Sequence, residues 1–280
     1  MQSVLIGTII KQRRKDLKLT QEQLCSGICD PVSLSRIETG KQVPSRSIVN
    51  ALLQRLGLPD TRYYALSSKH ELEIEALKKE IIACNVTRDV DNGFQKLLQL
   101  ENLISSDDHL IHQFILRSKA LLGSFDKRYT YDEQIDMLLS AIRLTVPNFN
   151  IGEINKYLYA FDEIKAIIQI ANVHLNLQHK EQAIDIFYQL LKYVRNHYQE
   201  VITSGKITLL VLYNYARALD LCGRYEDGMN WPKKVEMHAS NTVTTKHSPV
   251  ALKYMLNVAI FLVWMTKAQK PIIKPIISAN

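Results

Sequence analysis

The sequence predicts an all-α protein, and three observations carry that expectation. Glycine and proline are scarce, 10 and 8 in 280 residues, roughly half their usual shares of about 7% and 5%. Sandwiches, barrels and collagen-like chains need more turn residues than that. Apolar residues recur at helical spacing through most of the chain, broken only by brief polar turns.

Composition excludes other classes. Four cysteines (Cys25, Cys29, Cys84, Cys222) are too few for a disulfide scaffold. The longest apolar run, residues 254–265, is interrupted by Asn257 and is too short to span a bilayer, which takes about 20 residues. The start, MQSVLIGTIIKQRRKD, runs into charge after a few apolar residues, unlike a secretory leader. A cytoplasmic protein with no membrane partner is expected. The net charge of +7 is uneven: residues 1–66 hold 10 Lys/Arg and 5 Asp/Glu, whereas 67–280 hold 25 and 23. That asymmetry suggests a small polyanion-binding module joined to a nearly neutral body.

The first helix carries Val4, Leu5, Ile9 and Ile10, then the basic run Lys11, Arg13, Arg14, Lys15. Thr20 with Gln23 three residues on forms a capping box for a second short helix bearing Leu24. Asp30-Pro31 opens a third, an N-cap acid with proline at the first helical position. It carries Leu34 and Ile37 and ends at Gly40, a left-handed C-cap. Pro44-Ser45 opens a fourth with Ile48, Val49, Leu52, Leu53 and Leu56.

From Ser67 the helices lengthen. A charged linker helix runs over about 67–84, with Glu75 and Lys79 spaced to pair. Further segments follow at about 91–104, 109–123, 131–145, 152–177, 180–198, 207–222, 225–238 and 248–268. Short turns between consecutive helices predict antiparallel hairpins. Residues 167–187 and 212–232 align without gaps at an offset of 45, with Ala171 matching Ala216 and Ala183 matching Gly228. A fainter copy covers 115–135. Small residues at those places let paired helices approach.

The run TQEQLCSGICDPVSLSRIETGKQVPS resembles the Xre/Cro-type helix-turn-helix family over residues 4–58. The hairpins resemble tetratricopeptide repeats, with Ala183 and Phe187 at consensus positions and departures at Gly228 and Pro232. The order of parts resembles the peptide-pheromone receptors of the RRNPP group. That resemblance implies a helix-turn-helix domain at 1–66, a linker helix at 67–84, and a right-handed superhelix of repeats at 85–280. It also implies a DNA operator and a short signalling peptide as partners, and a homodimer. No cofactor and no catalysis are expected.

In the helix-turn-helix reading the helix at Pro31–Thr39 enters the major groove. With Leu34 and Ile37 in the core, Val32, Ser33 and Arg36 face outward. Arg36 can donate to guanine O6 and N7, and Val32 can meet a thymine methyl. Gln21 is a phosphate ligand by resemblance, and Lys41, Gln42, Ser45 and Arg46 can add phosphate contacts. Arg14 and Glu38 correspond to a structural pair that ties the first helix to the third. The repeats' inward positions give Lys165, Ile168, Asn172, Leu175 and Asn176 in one copy. The other gives Tyr213, Asn214, Arg217 and Asp220, and the faint copy adds Gln113 and Arg117. Asparagines suit an extended peptide's N–H and C=O groups, and the cations suit its carboxylates.

Asp107, Asp108, His109 and His112 are metal-ligating types, but Ser/Asp clusters also start helices, so no metal is assigned. A regulator whose repeats bind a protein partner is the main rival reading. An enzyme acting on a peptide or phosphoprotein would need converging carboxylates or a partnered histidine, and the sequence shows neither.

Overall fold

Helix starts are set by short polar side chains. In the computed structural model, which describes residues 2–58, 69–197 and 204–224, Thr20 and Gln23 complete both halves of a capping box. Asp30 accepts from the Ser33 amide with Pro31 in the first turn, and Ser45 accepts from the Ile48 amide. These caps open α2 (Gln21–Cys25), α3 (Pro31–Glu38) and α4 (Arg46–Arg55), which follow α1 (Gln2–Asp16). Each answers an amide that the helix itself leaves unpaired. Gly40 follows α3 in the left-handed region, φ +71°. The four helices enclose one core of Ile6, Ile10, Leu24, Cys25, Leu34, Ile37, Val49, Leu52, Leu53 and Leu56.

The body continues as α5 (Lys69–Thr87), α6 (Val90–Leu103), α7 (His109–Phe125), α8 (Tyr131–Arg143), α9 (Phe161–Asn176), α10 (Lys180–His197) and α11 (Ser204–Leu221). From α5 to α10 each helix packs on the next, and α5 meets α7 while α7 meets α9. Helices α5, α7 and α9 therefore form one layer, as helix-hairpin repeats require. Ala171 on α9 and Ala183 on α10 are fully buried. A second core gathers Ile74, Leu77, Ile81, Cys84, Leu97, Leu100, Ile111, Phe114, Ile115 and Leu122.

Met1–Thr208 form one compact unit and Leu209–Asn280 a second. Within the first, α4 packs on α7, so the helix-turn-helix helices are not detached from those that follow. All regular structure among the described residues is helical. None of those helices is long and apolar enough to cross a membrane. The predicted segments at 225–238 and 248–268, and residues 59–66 of the first domain, lie outside the described residues.

Two expectations are corrected. The helix predicted at 152–177 is two elements, a 3-10 turn at Ile151–Lys156 and α9 from Phe161. Tyr159 breaks it: its hydroxyl donates to Ile154 O, and its amide donates to the Tyr193 hydroxyl. The two rings pack edge to face at 4.8 Å. Burying that ring, with both polar groups answered, outweighs the helix propensity of the segment. On α5, Glu75 pairs with Lys78 at 3.2 Å rather than with Lys79.

Gly27 adopts φ +68°, and a Cβ there would collide with the Thr145 carbonyl. Gly27→Ala should therefore destabilise the protein by about 2 kcal/mol. Urea unfolding monitored by helix content is the measurement, and an unchanged midpoint would contradict this reading of the turn.

Candidate functional site

The exposed side of α3 follows from what its other side buries. Leu34 and Ile37 are in the core, which leaves Val32 59% exposed and Arg36 exposed beside it. Ser33 is half-buried; its hydroxyl donates to Asp30 Oδ2 at 2.6 Å, so its oxygen remains an acceptor for a partner. Bonds from Ser33 hold the Asp30 carboxyl below its usual pKa.

The far end of α3 is fixed by charge. Arg14 donates to both oxygens of Glu38, at 2.6 and 2.8 Å, and to Leu19 O at 3.0 Å. Gln21 Nε2 also donates to Glu38 Oε2, at 2.9 Å. Gln21 thus braces the α1–α3 join, a role the sequence did not suggest. After α3, Lys41 and Ser45 are exposed, Gln42 and Arg46 half-buried. The Arg46 amide donates to Glu71 Oε1 of α5 at 3.0 Å, which anchors the start of α4.

The predicted inner-face residues divide. On α9, Lys165 and Asn172 are half-buried and Asn176 is exposed, whereas Ile168 and Leu175 are buried. Arg117 is 6% exposed and meets Asp162 Oδ1 at 3.4 Å, while Lys165 meets the same oxygen at 3.2 Å. Burial alone would raise the Asp162 pKa, but Lys165, Arg117 and Lys78 outweigh it and hold the carboxyl far below its usual range. Lys78 on α5 and Arg117 on α7 both lie over the Phe114 ring, at 5.2 and 5.5 Å. Three cations from three helices thus converge near one carboxylate; the sequence suggested only Arg117 and Lys165. Gln113, expected at the surface, is enclosed at 1% exposure, donating to Ala141 O and Thr145 Oγ1. On α11, described by itself, Tyr213 is half-buried and Arg217 and Asp220 are exposed. Asn214 is buried and donates to Leu210 O at 2.8 Å within its own helix.

The sequence reading missed a buried polar centre. Arg55, 1% exposed at the end of α4, donates to Leu24 O, Ser26 O and Thr145 O at 3.0, 2.5 and 2.9 Å. The Glu163 carboxylate lies 3.9 Å away. The Thr145 hydroxyl donates to Glu163 Oε1 at 2.5 Å and accepts from Gln113 Nε2 at 2.7 Å. The available signal was a charged residue inside the apolar stripe of α4.

The Asp/His cluster closes locally: Asp108 Oδ2 accepts from the amide and hydroxyl of Ser105, and His112 Nε2 lies 3.1 Å from Ser105 O. Among the described residues no group of three His, Cys, Asp or Glu could hold a metal ion.

Residues 5–64 match the family described as a helix-turn-helix domain. With α2, its turn and α3 placed as above, the chain carries a helix-turn-helix DNA-binding domain. Among solved structures, the chain is similar to Bacillus thuringiensis PlcR in complex with the peptide PapR7 and DNA. That match has 20% identity over 92% of this chain and 88% of that one, with a TM-score of 0.49. The apo form of PlcR gives 19% identity over 94% and 89%, with a TM-score of 0.49. No curated protein sequence matches the chain.

Glu38 supplies a pH test. Burial pushes its pKa up, but the Arg14 and Gln21 hydrogen bonds outweigh that and hold it below the ordinary 4.5. A depressed folded-state pKa means the ionised carboxylate stabilises the fold above the unfolded value, and the contribution fades as pH falls through the folded one. Urea midpoints measured from about pH 6 down to about pH 3 should fall more steeply for the parent than for Glu38→Gln. Parallel profiles would remove Glu38 from the acid transition.

Proposed function

We propose that the chain is a cytoplasmic transcription regulator of the RRNPP type, in which a short signalling peptide on the α7–α9 face alters operator binding. The observation that carries the DNA part is α3, capped by Asp30, tied by Arg14–Glu38, and turning Val32, Ser33 and Arg36 outward. In this reading Arg36 reads a guanine, Val32 a thymine methyl, and Ser33 offers its acceptor oxygen to a base amine. Gln21, Lys41, Gln42, Ser45 and Arg46 hold phosphates and set the register.

The peptide part rests on α9 and its neighbours. Asn172 and Asn176 present carboxamides along one face, able to pair with an extended backbone in both directions. Lys165, and Lys78 beside Arg117, supply positive charge for a peptide carboxylate, while Ile168 and Leu175 support the face from beneath. A homodimer accounts for affinity, because one small module buries only about 600–1,000 Å² on DNA and half-sites pair by two-fold symmetry. The exposed Leu72, Ile82 and Val86 of α5 are apolar surface that a second copy would cover.

Selection of duplexes from a random pool by the full chain tests the DNA part. Arg36→Ala should lose about 1–3 kcal/mol at the selected site and relax one base pair. Lys41→Ala should weaken all duplexes alike and flatten the salt dependence. Undiminished selectivity of Arg36→Ala would sink the base-reading assignment, and a monomer by light scattering on the duplex would sink the dimer.

A display library of short peptides, read by calorimetry on the full chain, tests the peptide part. Lys165→Ala and Asn176→Ala should each weaken the selected peptide by about 1–3 kcal/mol. Equal affinity in both variants would place the ligand elsewhere.

A further inference from the structure

The buried centre at Arg55 and the cation cluster at Asp162 are built on the same two helices. On α9, Asp162 meets Arg117 and Lys165, and the next residue, Glu163, meets Thr145 and Arg55. On α7, Arg117 meets Asp162, and Gln113, one turn earlier, donates to Thr145. The α7–α9 join therefore has two polar contacts back to back. One faces the surface on which the proposed function places a ligand; the other holds the DNA-binding helices.

We propose that this arrangement couples the two: a ligand that draws Arg117 away from Asp162 shifts α9 against α7, withdraws Glu163 from Thr145 and Arg55, and loosens the helix-turn-helix from the body. The inference rests on the α7–α9 face being the ligand face.

Hydrogen bonds in the centre run at 2.5–3.0 Å, and such bonds are lost once donor and acceptor separate beyond about 3.5 Å. A buried guanidinium cannot exchange its partners for water cheaply, so a small helix shift produces release rather than gradual stretching. One atom in each contact shows that neither is fully satisfied. Glu163 Oε2 and Arg117 Nε are buried and meet no hydrogen-bond partner among the described residues. A partly satisfied polar network has less to lose on rearranging than a complete one. The DNA-binding end is joined at neighbouring points as well: the Phe161 amide donates to Gln54 Oε1 at 2.9 Å, and His197 Nε2 donates to Arg55 O at 2.6 Å. A movement of the α9 start would therefore reach α4 directly.

Hydrogen–deuterium exchange on the full chain, without peptide or DNA, tests the coupling. Thr145→Val removes the hydroxyl between Gln113 and Glu163. It should speed exchange in α4 and at Ser26–Ile28 about tenfold, while Ile6–Ile10 of α1, held by its own core, stay as in the parent. Asp162→Asn, which alters only the outward contact, should give the same pattern. Exchange that rises in α9 alone, or α4 protection that Thr145→Val leaves unchanged, overturns the proposal. Gln113→Leu breaks the same network from α7 and decides the matter if Thr145→Val does not fold. Because no peptide enters the experiment, a failed peptide screen leaves this result standing, and the reverse holds too.

Discussion

A guanidinium removed from water must find acceptors, and much of this fold is arranged around the acceptors that Arg55 finds. Desolvating such a charge costs several kcal/mol unless its donors are met. Leu24 O and Ser26 O lie at the end of α2, and Thr145 O lies just beyond α8. Helix ends leave carbonyls without intrahelical partners, and those ends carry partial negative charge. One arginine therefore serves two helix C-termini at once, with Glu163 completing the charge balance. The close pass of the chain at Gly27 against Thr145 follows from the same meeting.

Helix α3 takes its position in part from that centre. The turn leading into α3 is braced where Arg55 holds Leu24 and Ser26. The far end of α3 is braced where Arg14 and Gln21 hold Glu38. Between these points Leu34 and Ile37 pack inward, so Val32 and Arg36 have only the outward direction left. Both ends of α3 are thus set by arginines that water reaches poorly, and its outward face is a consequence of those two braced ends and one apolar stripe.

Local signals made much of this legible. The Thr20 capping box, the Asp30-Pro31 start and the left-handed Gly40 each depend on residues within a few positions of one another, and each formed as its sequence pattern implied. The inward face of α3 followed from spacing alone. Readings that depended on distant partners fared differently. Nothing local marks Tyr159 as a helix breaker, because the hydroxyl that answers its amide comes from Tyr193 on another helix. Gln113 looks like any polar residue on a repeat helix until Thr145, 32 positions away, encloses it. Arg55 stands inside the apolar stripe of α4, but its acceptors, Leu24 O and Thr145 O, come from 31 and 90 positions away.

The choice of a charged join over an apolar one has a physical consequence. Apolar surfaces stabilise in proportion to area and tolerate sliding, whereas hydrogen bonds to a planar fork constrain direction. Replacing a buried ion pair with well-packed apolar residues often costs nothing in stability, so stability alone does not account for Arg55. What it adds is one fixed orientation of α4 against α8 and α9. Its sequence neighbours reinforce that orientation: Gln54 accepts from the Phe161 amide, and Leu56 O accepts from Arg13 of α1. The end of α4 is therefore one place where the helix-turn-helix is held to the body, the Arg46–Glu71 bond at the start of α4 being another. A change in the seating of α9 is the most direct way to reach it.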